Sequence, residues 1–486
     1  MLYQRLLAHY KDTPQTNAYI SSDGSLTYAQ LIEYSAKLAH ALHQLPPGPI
    51  VVFGHKQIWM PVAFFACFFS GHPYVPINSD TPAARVNSIL SISGACAVLA
   101  VEDVQASLPC FSLSKIQSIC TSASAPFYFP QHIDADAPFY VLFTSGSTGA
   151  PKGIPISYGN LTAFLSQMQS WLSPYHKGIN TVINTALFSF DLSVADLFYT
   201  FYNGKTLFAL EKDVQKEFSH LFARLAQSKA QLMVLTPTFA NYCLLDRSFS
   251  QNTLPHLKVL FFCGEILSSA TVQKLWRRFP GLHIFNAYGP TEATVAVCAA
   301  EIQPSFLSSS LPVGHVHHDI QLSGSSAAEN QIEEIILTGP QLSGGCLSSV
   351  AGGFCNLNKT PAFKTGDLGR IHNGLLYFHG RKDRQIKRGG HRIEPAEIET
   401  ALNTLADISQ SAVLLFKNHL CAVVIPKQTN AAISAVQVRG QLAKFLPSYM
   451  LPDRFFTLSS LPFTPNGKLD YSFLESYLEE QMYGGC

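Results

Sequence analysis

Residues 140–153, Tyr-Val-Leu-Phe-Thr-Ser-Gly-Ser-Thr-Gly-Ala-Pro-Lys-Gly, concentrate groups that can hold an anion. Thr144, Ser145, Ser147 and Thr148 offer hydroxyl donors, and Lys152 adds a point positive charge. Gly146, Gly149 and Gly153 can take positive φ and let backbone N–H groups approach an anion with no side chain between. The stretch reads as a phosphate cradle. It is not the Gly-x-x-x-x-Gly-Lys-Ser/Thr loop, because Lys152 precedes the last glycine and no hydroxyl residue follows it. A Ser/Gly-rich surface turn is the commoner fate of such composition; the apolar run before the loop and the lysine that closes it favour the cradle.

A strand at 139–143 must deliver this loop. From 137 to 290 further apolar runs, at 181–185, 206–209, 231–235, 259–262 and 284–287, alternate with helical patterns at 161–171, 213–230 and 269–279. Short continuous apolar strands between amphipathic helices predict a mainly parallel sheet covered on both faces. Ligands of such sheets lie beyond the carboxyl ends of the strands. The polar clusters fall there: the cradle after Phe143, Gly264-Glu265 after Cys263, and Tyr288-Gly-Pro-Thr-Glu292 after Ala287. Upstream, Asp23-Gly24 predicts a hairpin turn. Thr27 and Gln30 form a capping box ahead of a helix with Leu31, Tyr34, Leu38 and Leu42 on one face. An apolar helix is expected around 61–69, and Thr81-Pro82 opens another. Residues 102–135, rich in Ser, Pro and Ala with weak periodicity, read as a long surface connection. After 300, Gly- and Ser-rich segments separate short strands such as 334–337 and 375–378, which predicts a small β-barrel-like subdomain. Charge density rises around Asp383, and a small α+β pattern then runs to the end, with helices at 395–405 and 436–446 and strands at 412–416 and 421–425. The expected organisation is a large domain over 1–382 and a smaller one over 383–486.

A chain of 486 residues needs more than one core. With 33 basic and 32 acidic residues, net charge +1, it has no electrostatic case for nucleic acid or an anionic membrane. The longest apolar clusters are too short to span a bilayer, and the first residues lack the apolar core of a signal peptide. Eleven cysteines, an odd number without a Cys-x-x-Cys pair, fit reduced thiols and a cytoplasmic location. His315, His317 and His318 lie in a loop-like stretch that reads as loop rather than as a metal site.

Taken in order, the cradle at 143–153, Phe190-Asp-Leu-Ser193, Gly264-Glu265, Asn286-Ala-Tyr-Gly-Pro-Thr-Glu292, Leu311-Pro-Val-Gly314, Thr365-Gly-Asp367, Gly380-Arg-Lys-Asp383, 387–394 and Asn466-Gly-Lys468 resemble the adenylate-forming superfamily. That superfamily contains the adenylation domains of non-ribosomal peptide synthetases, acyl-CoA synthetases and firefly luciferase. The resemblance covers nearly the whole chain. It implies ATP and Mg²⁺, a hinge at Asp383 and a mobile C-terminal domain. It also implies roles. Tyr288 would stack on adenine with Asn286 and Ala287 lining the base, and Gly289 and Pro290 complete that loop. Asp367 would take the ribose hydroxyls, Arg381 the ribose or a phosphate, and Glu292 would hold Mg²⁺. Thr291 and Thr144 would touch phosphates. Asp191 would anchor an α-ammonium, which points to an amino acid rather than a fatty acid. Lys468 would bridge the substrate carboxylate and the ribose, offsetting anion–anion repulsion when the carboxylate attacks the α-phosphate. Taken singly, Asp191 could be a helix N-cap and Lys468 a solvated loop residue.

Within the superfamily, Phe53-Gly-His55, 183–194, Phe262-Cys-Gly-Glu265 and Gln385-Ile-Lys387 resemble the D-alanine–carrier-protein ligases. In that family a cysteine at the place of Cys263 narrows the pocket to a methyl side chain of one hand. Leu192, Ala195, Phe261, Ala287, Val295 and Ala296 would complete apolar walls. The resemblance implies activation of a small amino acid, D-alanine, to an aminoacyl-AMP. Transfer to the phosphopantetheine thiol of a carrier protein in trans would follow, since no carrier module follows residue 486. A monomer is expected. Glycine or L-alanine loaded onto a peptide-synthetase carrier is the alternative. A silent nucleotide-binding scaffold is disfavoured by Lys468, Asp367 and Glu292, and a luciferase-like oxidoreductase by Asp191. Departures from the pattern are Glu333-Glu334 for Gly-Glu, Gly345-Cys346 for Gly-Tyr, the short Ser/Gly-rich stretch 346–360, and Tyr471 where arginine is usual.

Overall fold

The computed structural model describes residues 2–146, 150–211, 213–308, 310–323, 331–347, 353–428, 433–463 and 469–483. Two compact units divide the chain. The first holds residues 1–79, 89–143 and 153–382, and the second holds 80–88, 144–152 and 383–486.

Two sheets build the body of the first unit. An eight-stranded sheet runs in the order Cys298–Glu301, His283–Tyr288, Val259–Phe262, Leu232–Leu235, Thr181–Asn184, Thr206–Ala209, Asn17–Ser21, Gly24–Thr27. It is parallel except at its ends, where Cys298–Glu301 and Gly24–Thr27 pair antiparallel. A second sheet centres on the parallel strands Ala97–Ala100, Ile50–Gly54 and Tyr74–Asn78, and Pro138–Thr144 joins it through Tyr74 and Tyr140. The cradle strand therefore does not share a sheet with Val259–Phe262 and His283–Tyr288, although 137–290 reads as one alternating series. A local apolar run identifies a strand; its partner is chosen by contacts distant in sequence. Between 102 and 135, a short edge strand Cys110–Ser112 and a helix Leu113–Thr121 replace the expected plain connection. That helix buries only Ile116 and Cys120, too few to print a helical period. The expected helix 213–230 is broken at Glu217, which is extended at φ −125° and ψ 127°, so Phe218–Ser228 stands alone.

Helix Trp59–Ser70 buries all twelve of its residues, the mark of a helix with no solvent face. Phe65 meets Phe198 and Phe201 of helix Leu192–Tyr202 edge-on at 6.1 and 5.3 Å. The first helix packs on the second sheet and the other on the eight-stranded sheet, so these aromatic contacts tie the sheets through a layer of buried helices. Lys56 adds a polar tie. Wholly buried, it donates to the carbonyls of Asn184, Thr185 and Leu210 at 3.0, 3.0 and 2.9 Å. Burial draws its pKa down to about 7, while Asp196 and Glu211 pull the other way. Lys56→Met should lower the free energy of unfolding by about 1–3 kcal/mol, because Thr185 O loses its Lys56 donor, whereas Asn184 O keeps the Leu210 N–H at 3.0 Å and Leu210 O keeps Gln215 Nε2 at 2.9 Å. An unchanged urea midpoint would show that the three bonds add nothing net.

The remainder of the first unit is a six-stranded antiparallel sheet that includes Glu333–Leu337, Thr360–His372 and Leu375–Arg381.

In the second unit, Ile408–Phe416 pairs antiparallel with His419–Pro426, and Arg454–Thr457 adds in parallel. Alternate residues serve opposite faces. Val413, Ala422 and Val424 pack with Ile398, Leu402 and Leu442, while Ala412, Leu414, Cys421 and Val423 pack with Leu474 and Leu478. A hairpin of Ile386–Arg388 and His391–Ile393 turns on Gly389 and Gly390 at φ 59° and 82°, the two successive left-handed residues of a type I′ turn. Among the described residues, no helix is long and apolar enough to cross a membrane.

Candidate active site

Strand ends of the eight-stranded sheet and the antiparallel sheet bring most of the expected nucleotide residues together. Tyr288, the last residue of its strand, donates its hydroxyl to Asp367 Oδ2 at 2.8 Å. Arg381 pairs with Asp367 Oδ1 from the neighbouring strand, directly across the ladder, and also donates to Thr365 O at 3.1 Å. Asp367 is all but fully buried, and burial, followed by the Asp367 charge, pushes the Tyr288 phenol well above its ordinary value. The tyrosine therefore stays a donor. Asn286 is anchored by its amide to Pro312 O at 2.9 Å, and Ala287 is buried beside it. Gly289 is required for space: a Cβ there would lie 2.6 Å from Ala296 Cα and 2.8 Å from Val295 O. Pro290 precedes the 3₁₀ turn Thr291–Ala293, which carries the wholly buried Glu292.

Asp191 sits one residue ahead of helix Leu192–Tyr202, as an N-cap would, but its backbone is αR and its side chain makes no capping bond. Instead Oδ2 accepts from Thr291 Oγ1 at 2.6 Å. The carboxylate is thus joined to the Tyr288–Glu292 loop rather than to its own helix. The expected wall residues Leu192, Ala195, Phe261, Cys263, Ala287, Val295 and Ala296 all fall in one buried apolar cluster, and the Cys263 thiol lies 3.7 Å from Val295 O.

The backbone leading into Val295 takes an unusual course. Thr294 and Val295 hold φ of 55° and 70°, costly for β-branched residues. Ala296 N donates to Thr294 O at 2.9 Å, which makes Val295 the centre of a γ-turn of the rare strained kind. Gln341, buried, clamps it. Its Nε2 donates to Ala296 O at 2.8 Å, and its own carbonyl accepts from Thr294 Oγ1 at 2.7 Å. Nothing short of the fold marks Gln341, which lies 45 residues away in sequence.

The cradle residues Thr144, Ser145, Gly146 and Lys152 belong to the second unit; Ser147 and Thr148 lie outside the described residues, as does Lys468. Thr144 Oγ1 is buried without a hydrogen-bond partner among the described residues, as an oxygen awaiting a ligand would be. Ser145 Oγ donates to Arg392 O at 2.5 Å and accepts from Glu394 N at 3.1 Å. Neither Gly146 nor Gly153 has positive φ, contrary to expectation. Gly146 is needed because a Cβ would strike Ala150 O, and Gly153 because it would crowd the Phe143 ring at 3.0 Å. Arg85 and Glu397 form a buried ion pair in the same unit. At Tyr471, where arginine is usual, the ring lies 4.4 Å from the Arg384 guanidinium carbon.

The fold and this constellation define an adenylate-forming enzyme. The chain belongs to the AMP-binding enzyme family, whose pattern matches residues 6–346, and the AMP-binding enzyme C-terminal domain matches 397–468. It is 38% identical over 490 residues to a D-alanine–D-alanyl carrier protein ligase of Bacillus anthracis, spanning 94% of this chain and 96% of that one. A ligase of the same description from Bacillus cereus is 38% identical over 492 residues, with the same coverage. Among solved structures, a Vibrio cholerae adenylation domain in complex with glycyl-adenosine-5'-phosphate superposes with a TM-score of 0.83 at 21% identity, over 99% of this chain and 98% of that one. An o-succinylbenzoate CoA synthetase from Bacillus subtilis gives 0.84 at 21% identity, over 97% and 98%.

Proposed function

We propose that this enzyme activates D-alanine with ATP and passes the alanyl group to the phosphopantetheine thiol of a separate carrier protein. The observation that carries the reading is the Asp191 carboxylate, bonded to Thr291 and accompanied by the buried apolar cluster around Cys263. An ammonium on Asp191 and a methyl group against Cys263 and Val295 satisfy both features. The relatives named for D-alanine support the substrate.

In the first half-reaction the amino-acid carboxylate attacks the α-phosphorus of ATP; an O–P bond forms, the bond to the β-phosphate bridging oxygen breaks, and pyrophosphate leaves. Tyr288 and Asn286 would hold the base. Asp367, oriented by Tyr288 and Arg381, would receive the ribose. Thr144, Lys152 and the remaining cradle residues would hold phosphates, and Lys468 would neutralise charge between carboxylate and α-phosphate. Glu292, a buried hard-oxygen donor, fits Mg²⁺, which would supply charge neutralisation on the phosphates. In the second half-reaction the carrier thiolate attacks the acyl carbon, the thioester forms and AMP departs. Asp383 would be the hinge between the two states, bringing in the Gly389-Gly390 hairpin as Lys468 withdraws.

Pyrophosphate exchange across D- and L-amino acids tests the assignment. D-Alanine should exceed L-alanine and glycine; preference for either of the latter would instead favour loading of a peptide-synthetase carrier. Cys263→Ala should narrow the D/L ratio by about 10-fold or more, since one group in an apolar wall is worth ~1–3 kcal/mol. An unchanged ratio would remove Cys263 from the wall. Gln341→Ala should raise the D-alanine KM about tenfold, through release of the γ-turn and loss of a buried bond of ~1–3 kcal/mol. The ATP KM should stay put; equal rises in both would assign Gln341 to general stability.

A further inference from the structure

His317, His318 and Asp319 each offer one ligand atom, and the three atoms lie within 4.8 Å of one another. The motif reading set this histidine group aside as loop; Asp319 supplies the carboxylate that a mixed N/O site needs. His317 Nε2 is 2.7 Å from Val297 O. A carbonyl is acceptor-only, so that nitrogen carries the proton, and a neutral ring then presents a lone pair at Nδ1. Nδ1 accepts from the Asp319 N–H at a long 3.4 Å and lies 3.6 Å from Asp319 Oδ2. His318 Nε2 lies 3.3 Å from Asp319 Oδ1, so each carboxylate oxygen faces one imidazole nitrogen. Ligand atoms about 2.0–2.1 Å from a tetrahedral ion are roughly 3.4 Å apart, close to both spacings. The carboxylate is held in place: it lies against Gly339, where a Cβ would collide with it. The His317–Val297 bond is the outer-shell contact that orients metal-bound imidazoles.

We propose that His317, His318 and Asp319 form a site for one transition-metal dication of the zinc class, separate from the Mg²⁺ expected at Glu292. Two imidazoles exclude Mg²⁺, which prefers oxygen and water. A bound ion would fix the 316–319 loop, and through Val297, whose N–H donates to Tyr288 O at 2.8 Å, the backbone that follows the nucleotide motif.

The test is Co²⁺ titration of the metal-stripped full chain without ATP or Mg²⁺, read by visible ligand-field absorption and reversed by Zn²⁺. One equivalent should bind. His318→Gln should weaken it by on the order of 10–100-fold or more, the loss seen even for outer-shell partners; 90% exposed, His318 can be replaced without disturbing the fold. Asp319→Asn should act alike. Wild-type protein that binds no Co²⁺, binding unaltered in both variants, or an intense thiolate charge-transfer band pointing to the cysteines would each overturn the site. The readout is independent of amino-acid activation, so its failure leaves the D-alanine assignment untouched.

Discussion

Asp191→Asn should raise the D-alanine KM in pyrophosphate exchange by about 100- to 4,000-fold while the ATP KM moves less than threefold. The amide keeps the size of the carboxylate and can still accept from Thr291, now 2.6 Å from Oδ2, so the loop geometry survives. What disappears is the counter-charge. A buried ammonium left without its partner costs about 3–5 kcal/mol, and each 1.4 kcal/mol is tenfold. The competing account, a capping residue whose loss frays helix Leu192–Tyr202, predicts a fall in stability of ~1 kcal/mol and no selective loss of amino-acid affinity. The side chain makes no capping bond, so the melting temperature should hold. A D-alanine KM within threefold of wild type would end the ammonium assignment.

Much of this framework is legible from residues alone, for identifiable reasons. The strands Thr206–Ala209 and Val259–Phe262 coincide with the apolar runs that predict them, because a strand covered on both faces needs every residue apolar. Thr27 and Gln30 form the capping box that their spacing announces. Where a signal depends on a few buried positions it fades, as in Leu113–Thr121. Sheet membership is weaker still: nothing within 138–144 reveals that Tyr140 aligns with Tyr74 rather than with a strand of the larger sheet.

The site divides in the same way. Tyr288, Asp367 and Arg381 stand in short motifs for which the resemblance to adenylate-forming enzymes implies one ligand, and the fold does join them. Gln341 belongs to no motif because its amide serves the Ala296 carbonyl and its main-chain carbonyl receives the Thr294 hydroxyl; any residue with the right reach and donor would serve, so only geometry reveals it. Val295 shows the reverse case. Its β-branched side chain argues for extended backbone, yet it sits at φ 70°, between the Thr294 and Ala296 groups that Gln341 bonds. Such local contradictions gather where function requires a particular shape.

The sharpest separation of the two half-reactions comes from Lys468→Ala. Exchange of pyrophosphate into ATP should fall by roughly 1,000-fold or more, the scale set by removing one group that stabilises transition-state charge. Transfer of the alanyl group from preformed D-alanyl-AMP to a phosphopantetheinylated carrier should stay within about threefold of wild type. The reasoning is electrostatic. Attack on the α-phosphorus brings a carboxylate against a polyanion, and an ammonium between them lowers that barrier. Thiolate attack on the adenylate instead expels AMP from a neutral acyl carbon, with no carboxylate left to neutralise. Arg384, stacked on Tyr471 and paired with Glu399, gives a control within the same unit: Arg384→Ala should impair both steps together if it steadies the proposed hinge at Asp383 beside it. Equal losses in both steps for Lys468→Ala would mean that one arrangement of the lysine serves the whole cycle, and the alternation about Asp383 would have to be given up.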